Sequence, residues 1–389
     1  MIPVVTAVRL TPAERGPGLP LLVLGPSLGT SATTLWGDCA THLADAFDVL
    51  AWDLPGHGHN SSVPDGDWSI AELATGVLRV VDDVLAERGD AGATFAYAGD
   101  SVGGVVGLQL LLDAPTRVSA AVLTNTGAKI GEPEGWNDRA KTVRAAGTAS
   151  QIAGSTQRWF APGFLEREPA RGGALLHSLR DADAESYALV CDALAAYDVR
   201  GRLAEIAAPV LAIAGVDDAP TPPSSLEEIA AGVRNGRLVA LDAVGHLAPA
   251  EAPHAVSTLV TSHVTASEPA YAAGMNVRRQ VLGDDHVDRA TAAITDVNRD
   301  YQDLITRYAW GTIWTRPGLA RRDRSIGVLT ALVAGRHFDE LEFHLRAALT
   351  NGLTREEIIE VLLQTSIYVG VPAANTAFAV ANHVLNDGA

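Results

Sequence analysis

The chain has 389 residues, only two cysteines and a formal charge of −17, with 47% hydrophobic and 19% charged residues. Those values describe a folded protein with core enough for two or three domains, and they exclude a disulfide scaffold or a disordered chain. The negative field disfavours nucleic acid as a partner, and no apolar run reaches the roughly 18 residues that a membrane span needs. Residues 1–5 lack the basic and apolar regions of a secretory leader, so the expected setting is the reducing cytoplasm.

In chain order, residues 20–24 read as an apolar strand that runs into the small-residue loop Gly25-Pro26-Ser27-Leu28-Gly29-Thr30-Ser31. Residues 49–52 read as the next strand, ending in Asp53-Leu54-Pro55-Gly56-His57-Gly58. His57 and His59 lack further ligands at a metal-binding spacing, so no metal is expected there. Residues 94–98 read as a short buried strand, Gly99-Asp100-Ser101-Val102-Gly103 follows, and residues 105–112 read as an apolar helix. A G-x-S-x-G between strand and helix is a nucleophile elbow, whose tight turn needs small flanking residues and lifts the serine hydroxyl to the tip of the sheet. The N–H of Val102, just after the serine, and one from the loop at Leu28 would form an oxyanion hole. Two more strands, 210–214 and 238–241, lead into Asp217-Asp218 and Gly245-His246. A serine, an acid and a histidine thus each follow a strand, the residue types by which a histidine takes the serine proton as the oxygen attacks; their order along the chain is the one α/β-hydrolases use.

With these motifs in sequence, residues 1 to about 264 resemble an α/β-hydrolase. The resemblance implies that Ser101 is the nucleophile, His246 its base, and Asp218, on the G-x-x-D-x-x-T-P pattern and ahead of neighbouring Asp217, the acid that orients the imidazole. It also implies that the helical stretch at about 127–202 is a cap over the site. Trp136, Arg139, Arg144, Arg158 and Trp159 in that cap are candidates for an aromatic and cationic lid over a small acidic substrate, although each taken singly also reads as core or solvated surface. Asp100 beside the nucleophile would repel an anionic substrate if its carboxylate pointed into the pocket.

A helix over residues 252–264 completes that pattern, and the small residues of 265–274 read as a linker. From 275 to 389 there is no strand signal. One long helix is expected over 287–310 and a second over 325–334. Phe338, Leu341, Leu345 and Leu349 mark a third, Thr354 and Glu357 a capping box for a fourth, and Pro372 the first turn of a fifth that ends near Leu385.

This all-α domain resembles the carboxymuconolactone decarboxylase family. The resemblance rests on Arg307-Tyr308-Ala309-Trp310-Gly311, Trp314-Thr315-Arg316-Pro317-Gly318-Leu319, Arg322, Arg324 and Ser325, Glu342-Phe343-His344-Leu345-Arg346, Asn351-Gly352-Leu353-Thr354 and Val369-Gly370-Val371-Pro372-Ala373-Ala374. The domain has no cysteine, which excludes the C-x-x-C peroxidase chemistry of related proteins. Arg316, Arg322 and Arg324 are candidates to grip carboxylates, and His344 is the candidate proton donor because histidine titrates near neutrality. Glu342 would orient His344, with His337 the alternative donor. The family resemblance further implies a homo-oligomer built through this domain.

Together the two resemblances imply one chain for two consecutive steps of aromatic breakdown. The helical domain would decarboxylate 4-carboxymuconolactone to 3-oxoadipate enol-lactone, and the hydrolase would open that lactone to 3-oxoadipate. Neither step requires a cofactor. A second reading stays open: a serine esterase or perhydrolase of other specificity carrying a non-catalytic helical oligomerisation domain.

Overall fold

The computed structural model describes all residues except 13–17, 268–269, 296, 317 and 387–389. Two compact units divide the chain, residues 1–268 and 269–389. Among the described residues no helix is long and apolar enough to cross a membrane.

The first unit is built on seven strands: β1 (Thr6–Arg9), β2 (Leu21–Gly25), β3 (Asp48–Asp53), β4 (Phe95–Asp100), β5 (Val118–Thr124), β6 (Val210–Gly215) and β7 (Gly236–Leu241). Their order is β1-β3-β2-β4-β5-β6-β7, with β1 antiparallel to β3 and every other pairing parallel. β2 to β6 are buried nearly throughout, as the unbroken apolar runs of a sheet covered on both faces require. Strands β1 and β5 are additions to the sequence reading, and β5 matters because it sits beside the nucleophile strand.

Helices α1 (Ala32–Leu43), α2 (Ile70–Glu87), α3 (Val102–Asp113), α9 (Pro223–Gly232), α10 (Ala248–Glu251) and α11 (Pro253–Ser267) belong to the sheet-bearing part of this unit. Between β5 and β6 the chain leaves the sheet for the helical insert, α4 (Pro133–Ala146), α5 (Ile152–Trp159), α6 (Phe164–Arg167), α7 (Pro169–Asp181) and α8 (Ala184–Ala195). Because β2 and β3 turn one way and β4 the other, a crevice opens at the carboxyl ends of β2 and β4, where the elbow sits.

The second unit holds α12 (Ala270–Leu282), α13 (Asp284–Ala292), α14 (Arg299–Ile305), a π-helical stretch (Thr306–Ile313), α15 (Arg321–Gly335), α16 (Phe338–Thr350), α17 (Arg355–Val369) and α18 (Val371–Asn386). Leu329, Val333, Leu341, Leu345, Ile358 and Leu362 make its core with Ala377 and Ala381 of α18. Thr354 and Glu357 form the expected capping box on α17.

Two expectations are corrected here. Residues 287–310 are not one helix: α13 stops at Ala292, where the Asn298 side chain accepts from Thr295 N–H at 2.7 Å and offers the backbone a turn in place of another helical bond. The stretch 265–274 is helical wherever it is described, up to Ser267 in α11 and from Ala270 in α12, with residues 268–269 outside the described set. Pro317, from the quoted motif, also lies outside it.

Two candidate active sites

Ser101 closes β4 and opens α3 at φ 53° and ψ −114°, a conformation L-residues seldom adopt. The surroundings hold it there. Ser101 N–H donates to Thr124 O at 3.0 Å, Gly103 N–H to Pro26 O at 2.8 Å, and Thr126 Oγ1 to Ser101 O at 2.7 Å. A Cβ at Gly103 would lie 2.5 Å from the Gly25 carbonyl carbon, so only glycine lets α3 approach the β2 loop. Val102 is the first residue of α3, so its N–H has no intrahelical acceptor, and Leu28 lines the same cavity.

His246, after β7, places Nε2 2.9 Å from Ser101 Oγ. Its Nδ1 lies 2.9 and 3.0 Å from the two carboxylate oxygens of Asp218, after β6. Thr221 donates its N–H and its hydroxyl to Asp218, at 3.0 and 2.6 Å, and Asn125 Nδ2 adds a bond of 2.8 Å. Burial pushes the Asp218 carboxyl up, but the His246 imidazole and these donors outweigh it and hold the group below its ordinary value. Neighbouring Asp217 is exposed. The sequence reading missed Asn125, which directly follows the largely apolar run of β5 and adopts φ 47°, a conformation that asparagine tolerates better than most residues.

Asp100 is fully buried beneath the site, accepting from Thr124 Oγ1 at 2.6 Å, and it does not line the cavity. Burial raises its carboxyl well above the usual range. The charge that would repel an anionic substrate is thus turned away from the pocket. His57 Nδ1 meets Pro55 O at 2.8 Å and His59 Nδ1 meets Asp53 at 2.9 Å, while the buried Nε2 of His57 has no hydrogen-bond partner among the described residues.

The cavity over Ser101 measures about 200 Å³ and is roofed by the insert, through Ile130, Trp136, Arg139, Arg158, Trp159 and Tyr187. Arg139 stacks on Trp136 with its guanidinium carbon 4.7 Å from the ring. Arg158 is half-buried and carries no ion pair among the described residues; burial and the charge of Arg139 lower its pKa. Two cations therefore face this cavity. Arg144 does not: it forks onto Glu185 and also meets Asp192 at 2.8 Å, a salt-bridge site on the exposed side of α4 that corrects its expected role as a substrate ligand.

Glu251 was not anticipated. Its two oxygens accept from Gly245 N–H at 3.0 Å and Ala161 N–H at 2.9 Å, while His246 N–H donates to Trp159 O at 2.8 Å. One carboxyl thus ties the histidine loop to the insert. Burial pushes it up to about 7 despite the donors.

In the second unit a cavity is lined by Leu282, Gly283, Asp284, His286, Arg289, Phe343 and Arg346. His344 packs behind it, its ring 4.6 Å from that of Phe343, which lies 4.9 Å from His286. The expectation that His344 titrates near neutrality is corrected: burial, then the charge of His286, pushes it down to about 4. Glu342 does not orient it; the carboxylate meets Arg346 one turn on, at 2.9 Å. Nor do the three expected arginines line this cavity. Arg322 pairs with Glu357 of α17, and Arg324 Nη2 donates to Arg316 O at 2.8 Å.

The comparisons match both halves. The alpha/beta hydrolase family matches residues 22–259 and the carboxymuconolactone decarboxylase family residues 299–383. The 3-oxoadipate enol-lactonase 2 of Acinetobacter baylyi is 36% identical over 241 residues, 62% of this chain and 87% of that protein. The 4-carboxymuconolactone decarboxylase of the same organism is 44% identical over 120 residues, 31% of this chain and 90% of that protein. The crystal structure of an enol-lactonase from Burkholderia xenovorans aligns with a TM-score of 0.62 at 31% identity, over 67% of this chain and 96% of that one.

Glu251 generates a pH prediction. A carboxyl whose folded pKa lies above its unfolded value favours the folded state most below the unfolded value, and that contribution is lost as pH rises through the folded one. Stability of the first unit therefore carries a loss between about pH 4.5 and 7 that Glu251→Gln removes, measured as a flatter slope of urea midpoint against pH in that window.

Proposed function

The chain belongs to the alpha/beta hydrolase family and, through its second unit, to the carboxymuconolactone decarboxylase family, and from that premise we propose how the two activities are carried out. The protein is a bifunctional enzyme that decarboxylates 4-carboxymuconolactone to 3-oxoadipate enol-lactone and hydrolyses that lactone to 3-oxoadipate. The observation that carries this is the presence of both halves in one chain, each matched over most of a relative's length.

In the first unit Ser101 attacks the lactone carbonyl while His246 takes its proton and Asp218 stabilises the imidazolium. The N–H groups of Val102 and Leu28 hold the oxyanion. The ring oxygen leaves as an enol that becomes a ketone, and water, deprotonated by His246, then frees the acyl group. Arg139 and Arg158 receive the substrate carboxylate, flanked by Trp136 and Trp159. They supply locally the positive charge that a chain of −17 lacks overall.

In the second unit the carboxylate that departs sits on the ring carbon bearing the lactone oxygen. Loss of CO2 leaves an electron pair that spreads through the ring double bond to the lactone carbonyl, so the protein has to hold the substrate, stabilise the anion and return one proton. The cavity at His286 and Phe343, with Arg289 and Arg346 on its wall and His344 behind, is the site for this step.

Ile359, Leu363 and Ile367 follow one another at four-residue spacing on α17 and are exposed, as are Tyr368 and Val371 just beyond. A second copy of the chain covers this apolar stripe in a homo-oligomer. The two buried thiols, Cys39 and Cys191, suit a reducing cytoplasm.

Three measurements test these assignments. In an NMR time course on 4-carboxymuconolactone, wild type delivers 3-oxoadipate and Ser101→Ala accumulates the enol-lactone; a mutant that still opens the lactone at the wild-type rate removes Ser101 from the mechanism. Arg158→Met lowers kcat/KM for the enol-lactone about 10- to 100-fold, mostly through KM, the cost of one charge-assisted contact, and leaves decarboxylation unchanged. Light scattering gives a multiple of the monomer mass for wild type and a smaller species for the double substitution Leu363→Glu and Ile367→Glu.

A further inference from the structure

We propose that His286 is the residue that returns the proton to the substrate ring after CO2 leaves, a role resting on the decarboxylase reading above. His286 lies in the first turn of α13, and its ring faces Phe343 of α16 at 4.9 Å. It lines the cavity with Arg289 and Arg346, whereas His344 is set behind Phe343 and is not part of the wall. Of the two imidazoles only His286 is presented to a bound molecule.

The electrostatics suit the step. Burial and the charges of Arg278 and Arg289 hold His286 below its ordinary pKa in the free protein. A dianionic substrate bound against Arg289, which lines the cavity, offsets the charge of that arginine, which favours the protonated imidazole in the complex. His344, held neutral by burial and by His286, keeps the second imidazole from competing for the charge.

The bookkeeping closes without a co-reactant. The bond from the ring carbon to the departing carboxylate breaks, its electron pair enters the ring, and CO2 leaves. The pair then forms a C–H bond at the carbon next to the lactone carbonyl, with the proton from His286, and the ring double bond settles between the other two carbons. His286 regains its proton from water. The acid must stand on the side of the ring away from the departing carboxylate, which calls for cations and imidazole on different parts of one cavity wall. Arg346 on α16 and His286 on α13 provide that separation.

The test uses the full-length chain turning over 4-carboxymuconolactone in D2O, with the enol-lactone read by NMR at early times in the Ser101→Ala background. With His286 present, one deuterium enters one of the two prochiral positions of the new CH2 group, giving a single CHD enantiomer that NMR resolves in a chiral aligning medium. His286→Gln lowers kcat for CO2 release about 100-fold or more, the usual contribution of a positioned acid, with KM little changed and lactone hydrolysis by the otherwise wild-type chain intact. Its residual product is still monodeuterated but is a mixture of the two CHD enantiomers, because solvent now delivers the deuteron from either face. The label pattern reports only molecules that turn over, so it does not depend on the folded fraction. Near-wild-type kcat with a single CHD enantiomer in His286→Gln overturns the assignment. A chain with His286 intact that leaves 4-carboxymuconolactone unchanged overturns the decarboxylase reading itself, before any variant is compared.

Discussion

The first unit depends on one backbone constraint, the left-handed turn at Ser101. A serine at φ 53° and ψ −114° is unfavourable on its own and persists because several neighbours fix it at once. Thr124 of β5 and Pro26 of the β2 loop accept from the turn, and Gly103 lets α3 close against β2 without a side chain between them. The same closure that strains the turn aims Ser101 Oγ at His246 and leaves the first N–H of α3 unpaired beside it. Sheet order, glycine placement and the reactive geometry are therefore one feature. A change that relaxed the turn would also move the nucleophile.

Around that turn the charges are sorted by depth. Asp100 and Glu251 are carboxyls that burial pushes up, whereas Asp218, with four hydrogen-bond donors on its oxygens, is held down. Three acids near one histidine thus play different parts: Asp218 remains ionised to support an imidazolium, Asp100 is kept out of the pocket, and Glu251 fastens the insert to the histidine loop. The cations are sorted the same way. In the first unit Arg144 has carboxylate partners, while Arg139 stacks on a tryptophan and Arg158 has no ion pair among the described residues, so those two face the cavity without an acid of their own there.

What was legible in the sequence follows from this physics. The elbow could be read because its glycines are required by backbone contact and its strand is an unbroken apolar run. Asp218 could be separated from Asp217 by the threonine three residues on, whose N–H and hydroxyl both bond the carboxylate. The arginines of the helical unit could not be sorted, because a salt bridge such as Arg322 to Glu357 links residues 35 apart and leaves no periodic trace. Glu342 sits two residues from His344 on a helix, a spacing that points side chains apart; the i,i+4 partner Arg346 was the physically favoured one. His286 was hidden for the opposite reason. It lies on a different helix from His344, and only the fold brings both rings against Phe343.

Joining the two units in one chain has a consequence that does not depend on how they are arranged. The product of the helical unit is the substrate of the hydrolase, and covalent linkage fixes their numbers at one to one. The connection holds a hydrolase site near each point of release, at an effective concentration on the order of millimolar where such connections are short, while the freed lactone itself is untethered and is captured only where binding outpaces its diffusion away. Oligomerisation through α17 would multiply the hydrolase sites around each decarboxylating unit without any tunnel between them. That gain falls on capture of the intermediate, so it appears in the lag before 3-oxoadipate forms and leaves the kcat of each step unchanged.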